Sequence, residues 1–164
     1  MFTTKKATSQ DLDLIRDMAV IVFPATYKTI LTQEQLDYMM EWMYSPESLR
    51  RQMAERHVYY IAYKDDVPCG YLSIQPETDN LFVLQKIYVL PDFQGCHLGS
   101  FLFRKAVEHI REIHPEPCRM ELHVNRYNKA VQFYERMGMR KLREGDFEIG
   151  NGFYMNDYIM GMDL

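Results

Sequence analysis

Seven residues, Gln94 to Ser100, read QGCHLGS and lie between an apolar run ending in Val89-Leu90-Pro91 and a run of helical period that starts at Leu98. The opening turn of a helix leaves backbone N–H groups unpartnered and carries partial positive charge, so it attracts anions. Glycines remove the side chains that would keep an anion away. The loop therefore has the form of a pyrophosphate cradle. A tight turn at Gly95 and close strand–helix packing at Gly99 would explain the same letters, so the loop alone leaves both readings open. Two familiar phosphate loops are absent: Gly95 and Gly99 are only four apart with no lysine following, and no G-x-G-x-x-G occurs. That argues against a nucleoside triphosphatase and a dinucleotide dehydrogenase.

Other residues able to do chemistry are scattered. Tyr134 follows Asn128 by six positions in LHVNRYNKAVQFYERMGMRK. A phenol there could donate a proton and the amide could hold a ligand. On residue type alone, Phe133-Tyr134 reads as core and Asn128 as a helix cap. Glu77, Asp79, Tyr88 and His123 are candidate proton acceptors, with nothing to choose between them. Tyr27, Tyr38, Glu41, Trp42, Asp157 and Tyr158 could form an acidic, aromatic-lined slot for an aliphatic cation. Helix packing by Met39, Met40, Trp42 and Met43, with Asp37 and Glu41 solvated, is the plainer account of that helix.

The elements that must position these groups follow from periodicity. FTTKKAT reads as a first strand. Thr8 to Asp11 has capping-box spacing before Leu12, Ile15, Ala19 and Val22, and Pro24 is expected to end or kink that helix. Thr32 repeats the capping signal, and Ser45-Pro46 opens a third helical segment reaching about Glu55. HVYYIAY and PCGYLSIQ, separated by KDDV, read as a hairpin. NLFVLQKIYVL reads as a central strand covered on both faces. Leu98 to Ile113 is helical, CRMELHV a strand, and NKAVQFYERMG a helix closed by Gly138. Two last strands, KLREGDFEI and FYMNDYIMGM, turn at Asn151-Gly152. This order predicts an α/β mixed sheet flanked by helices in a single domain, residues 1–164.

Composition agrees with a globular chain of 164 residues, 47% hydrophobic and 26% charged. A net charge of −4 and a pI near 5.7 give no basic field for nucleic acid. Three cysteines, Cys69, Cys96 and Cys118, show no metal-ligand spacing and read as reduced thiols. The early apolar run MAVIVF is too short to span a bilayer. The expectation is a cytoplasmic protein without a membrane, nucleic-acid or metal partner.

The two motifs together resemble the GCN5-related N-acetyltransferase (GNAT) family. IYVLPDFQGCHLGSFL is similar to its acyl-CoA motif, an apolar strand often ending V-x-P and then Q/R-x-x-G-x-G/A before a helix. Gln94 takes the first place and Gly99 the last, while His97 stands where the middle glycine is usual. Leu122, Val124, Asn128, Ala130, Tyr134 and Gly138 match the family's later strand–helix motif, with Met139 where phenylalanine is common. The resemblance implies a GNAT-like fold splayed between its fourth and fifth strands. It also implies direct attack by a primary amine on acetyl-CoA in a ternary complex. Gln94, Gly95, Cys96, His97, Leu98, Gly99 and Ser100 would hold the pyrophosphate. Ile87, Tyr88 and Val89 would pair the pantetheine arm, Asn128 would touch the cofactor, and Tyr134 would be the general acid. The N-terminal helices and final strands look like bacterial spermidine/spermine acetyltransferases, making Tyr27, Trp42, Asp157 and Tyr158 expected contacts to a small amine. A protein N-terminus or lysine as acceptor, or a CoA-binding module without turnover, are the alternatives. Members often pair, so a homodimer is one expected assembly.

Overall fold

The polar caps anticipated in the sequence stand at the openings of the first three helical segments of the computed structural model, which describes Met1–Leu164. The Thr8 hydroxyl accepts from the Gln10 N–H at 3.2 Å, and the Asp11 carboxylate accepts from the Thr8 N–H at 2.8 Å. A short 3₁₀ turn follows and feeds α1, Leu12–Tyr27. Thr32 caps α2, Gln33–Tyr44, and Ser45 caps α3, Pro46–Ala54, each by accepting a backbone N–H at 3.2 Å. Satisfied N–H groups at these openings fix where each helix begins.

Pro24 does not end the helix, because α1 runs through it to Tyr27. The ring removes a single donor, yet the Pro24 carbonyl still accepts from Lys28 N–H at 3.0 Å. The Thr26 hydroxyl also binds the Val22 carbonyl, at 2.8 Å. The extra turn carries Tyr27 inward.

Seven strands form one sheet: β1 Phe2–Lys6, β2 Val58–Lys64, β3 Val67–Thr78, β4 Leu81–Val89, β5 Arg119–Asn125, β6 Arg140–Gly150 and β7 Phe153–Asp163. Their order is β1-β2-β3-β4-β5-β7-β6, and only the β4–β5 pair is parallel. Two-residue turns with positive φ, Asp65-Asp66 (49° and 67°) and Asn151-Gly152 (54° and 77°), fold the β2–β3 and β6–β7 hairpins. Helix α4, Leu98–Ile113, and α5, Ala130–Arg136, cover one face, where Leu102, Phe103 and Ile110 pack on Leu84, Met120 and Leu122. Helices α1 to α3 cover the other, where Ile15, Phe23 and Leu49 pack on Tyr59, Ile61 and Tyr71. No helix is long and apolar enough to cross a membrane.

Strand β4 carries one extra residue. Its register against β3 shifts between Ser73↔Lys86 and Ile74↔Leu84, leaving Gln85 as a bulge. A bulge bends its strand and increases the local twist. Past that point β4 leaves β5: only Leu81, Phe82 and Val83 pair with Arg119, Met120 and Glu121. The expected splay between the fourth and fifth strands is present.

The bulge also turns Lys86 into the core under α1–α3, where it is 7% exposed. Its ammonium donates to Gln52 Oε1 at 2.7 Å and to the Tyr59 hydroxyl, and lies 4.6 Å from the Tyr44 ring centre. Burial without a carboxylate pulls its pKa down from 10.5 to about 7. The unfolded lysine keeps its proton up to about pH 10.4, so between those values the unfolded chain binds more protons and stability rises with pH. Denaturant unfolding should show a gain of roughly 1–3 kcal/mol from pH 7 to 9.5. Lys86→Met should flatten that slope, and an unchanged slope would mean that another group sets it.

Candidate active site

The splay opens a cleft of about 1000 Å³. Its walls are the end of α1 with the turn after it (residues 25–30), the edge of β4 from Leu84 to Val89, the loop before α4, the outer half of β5, and α5 with the turn before it. Beyond Val83 the β4 edge has no β5 partner, so backbone groups of Ile87, Tyr88 and Val89 border the opening.

At the loop, Gly95 has φ +80°, and a Cβ there would meet nothing within 4 Å. His97 has φ +65°, the left-handed conformation a glycine would adopt freely. The first helical bond of α4 is Phe101 N–H to the His97 carbonyl at 3.1 Å, and none of the six N–H groups from Gly95 to Ser100 has an acceptor. Gln94 Nε2 donates to the Val89 carbonyl at 3.3 Å, tying the loop to β4. Cys96 lies outside the cleft lining, and Leu98 buries its side chain in the core at 1% exposure. Gly99 serves packing too, since a Cβ there would sit 3.4 Å from the Phe133 ring.

On the opposite wall, Tyr134 is buried beside Phe133 and Phe103 and still faces the cleft. Burial raises its pKa, so the phenol keeps its proton and remains a donor at neutral pH. Asn128 makes the helix-opening bond its sequence position suggested and also borders the cleft. Its Oδ1 accepts the Ala130 N–H at 2.9 Å, opening α5, and it lines the cleft. Tyr27 reaches in from α1, its hydroxyl 3.1 Å from that of Tyr88.

Strands β5 and β7 contribute a histidine and a carboxylate. Antiparallel pairing sets Asn125 opposite Asp157 and His123 opposite Ile159, so His123 and Asp157 are diagonal neighbours on one face. His123 Nδ1 lies 3.8 Å from Asp157 Oδ2, too long for a hydrogen bond but well within charge range. Asp157 is 1% exposed, and its Oδ1 has no partner. Burial raises the Asp157 pKa from 3.8 to about 6, with Arg126 opposing. Partial burial, then Arg143, lowers that of His123, whose side chain is still 45% exposed. At pH 7 the pair is therefore an anionic aspartate behind a neutral imidazole, and the imidazole borders the cleft.

The other sequence candidates lie elsewhere. Trp42 is 41% exposed on α2 and does not line the cleft. Tyr158, one residue from Asp157, points to the α4–α5 face because strand side chains alternate, and Lys141 Nζ sits 4.5 Å from its ring centre. Glu41, Glu77 and Asp79 are exposed, and Tyr38 is engaged with the β6–β7 hairpin. The approach of His123 to Asp157 escaped sequence reasoning, since only the β5–β7 register creates it.

The sequence model of the Acetyltransferase (GNAT) family matches residues 23–139. The chain belongs to that family. It is an acetyl-CoA-dependent N-acetyltransferase. Among solved structures it is similar to the PaiA N-acetyltransferase of Thermoplasma acidophilum in complex with coenzyme A, at 20% identity and TM-score 0.82, covering 100% of this chain and 99% of that one. It is also similar to the ribosomal-protein-S18-alanine N-acetyltransferase of Escherichia coli (16% identity, TM-score 0.74, covering 99% and 94%). A third is Arabidopsis thaliana Naa50 in complex with the bisubstrate analogue CoA-Ac-MVNAL (16% identity, TM-score 0.67, covering 98% and 97%). At such identities the likeness speaks for the fold. The chemistry of the cleft fits coenzyme A: six free N–H groups around a bare glycine suit a pyrophosphate, and an open strand edge suits an amide-containing arm.

His97→Gly should relieve the left-handed strain and stabilise the fold by about 0.5–1 kcal/mol, with thermal unfolding as the measure. Calorimetric affinity for CoA should change by less than about threefold if the loop binds through its backbone N–H groups.

Proposed function

We propose that this acetyltransferase acts on a primary amine of a small cation, with polyamines of the spermidine class as the leading acceptors. The observation that carries this reading is Asp157 Oδ1, a buried carboxylate oxygen without a partner beside the cleft-facing His123. A buried anion lacking its counter-charge is costly, and an incoming ammonium would supply that charge.

The chain's residues divide the work as follows. Backbone N–H groups of Gly95 to Ser100, with Gln94 bracing the loop, hold the pyrophosphate. The free edge of Ile87 to Val89 holds the pantetheine arm, with a β4 N–H directed at the thioester oxygen. Asn128 adds a side-chain contact. Acetyl-CoA supplies an acetyl group joined to a thiolate leaving group. An alkylamine arrives mostly protonated at pH 7, with a pKa near 10 by analogy with lysine. Asp157 draws in the ammonium, neutral His123 takes its proton, and Tyr27 lines the approach. Tyr134, kept protonated by burial, donates to the departing sulfur.

Thiol release from acetyl-CoA, measured with spermidine, aminoglycosides, amino acids and short peptides, tests the acceptor. Spermidine should give the highest kcat/KM, and peptides outrunning it would overturn the assignment. Tyr134→Phe should lower kcat by about 10–100-fold, with CoA affinity kept, because a thiolate leaves tolerably without full proton transfer. With the wild type, kcat/KM should fall as pH drops below about 6, where the His123–Asp157 pair takes up protons. His123→Gln should lower the plateau by about 100-fold. A plateau within about threefold of the wild type's would place the base elsewhere.

A further inference from the structure

The β6–β7 hairpin is held over the acceptor side by two hydrogen bonds from α2. The Tyr38 hydroxyl donates to the Ile149 carbonyl at 2.6 Å, and Gln35 Nε2 donates to the Tyr154 carbonyl at 2.8 Å. The donors sit three residues apart on one face of α2, and the acceptors flank the Gly150–Gly152 turn. The Tyr38 ring also meets Phe153 edge-on, with ring centres 5.3 Å apart. Gly150 makes the approach possible. Its φ is +102°, and a Cβ at that position would overlap the Tyr38 hydroxyl. The hairpin held in this way stands beside the cleft without lining it. Phe147 lies 5.5 Å from the His123 ring, while Ile149 and Met155 pack on the cluster that holds Tyr27 and Tyr88.

We propose that Tyr38 and Gln35 are specificity-determining residues that set acceptor size by clasping the hairpin to α2. An extended peptide binds by pairing its backbone along an open strand edge or groove, with free carbonyls and N–H groups to meet it. Here the Ile149 and Tyr154 carbonyls already take α2 donors, and Phe153 rests edge-on against Tyr38. The amine end of a slender molecule needs no such groove. The inference rests on the small-amine reading above and adds what excludes larger acceptors.

The test compares the wild type with the double variant Tyr38→Phe, Gln35→Leu. Phenylalanine keeps the ring against Phe153, so the fold is retained. Amide hydrogen exchange over residues 147–154 should quicken by about fivefold or more in the variant. The ratio of kcat/KM for a hexapeptide with a free N-terminus to that for spermidine should rise by about tenfold or more. An unchanged ratio despite faster exchange overturns the size filter, and unchanged exchange overturns the clasp. The wild type's own preference between peptide and spermidine tests the acceptor assignment. The variant-to-wild-type change in the ratio tests the clasp, so the two can fail separately.

Discussion

The parting of β4 from β5 is the constraint on which the site depends. Three residue pairs join the strands before the Gln85 bulge bends β4 away. Interior strands ordinarily satisfy both edges, because unpaired N–H and C=O groups are costly when buried. Here one edge of a central strand stays open along residues that line a cleft. The same bulge sets which side chains enter each core. After Gln85, Ile87 and Val89 face α4, while Lys86 and Tyr88 face α1–α3. One inserted residue thus opens the slot, brings Tyr88 to Tyr27, and buries a lysine with no acid partner.

The two sides of the cleft use different physics. The loop side relies on backbone donors, whose chemistry is the same for every residue type. That explains how histidine can stand at position 97, at the cost of left-handed strain, without removing a donor. The side proposed for the acceptor is built from side chains of α1, β5 and β7, with the hairpin resting against α2. Substitutions there change chemistry directly. A fold of this kind can keep one cofactor site while varying its acceptor, which is how sites are grafted on shared folds.

The difference also explains what could be read in the sequence. Strands, helices, caps and both hairpin turns rest on local signals, and these agree with the fold, save that Pro24 does not end α1, which neighbouring bonds carry onward. The cofactor motifs are contiguous stretches as well, so they stand out in the chain. The acceptor side is not contiguous. Asp157 was a candidate by its charge and His123 by its type, but their approach depends on a register between strands more than thirty residues apart. Tyr158 shows the converse error. It is adjacent to Asp157 in sequence and faces the opposite side of the sheet.

Burial ties these parts to reactivity. Tyr134 and Asp157 are both moved toward their protonated forms by the same cause, removal from water. Tyrosine starts from a high pKa and remains a donor. Aspartate starts low and, near 6, is still mainly an anion at neutral pH. His123 moves the other way and stays neutral. One cleft is therefore bordered by a proton donor on α5 and by an unprotonated imidazole with an anion behind it on β5 and β7. Amine acylation needs that separation: a proton must leave the nucleophile on one side and reach the leaving sulfur on the other. Tyr134 packs with Leu122 and Val124 on the α4–α5 side of the sheet, whereas His123 and Asp157 project from its other side, so neither can neutralise the other.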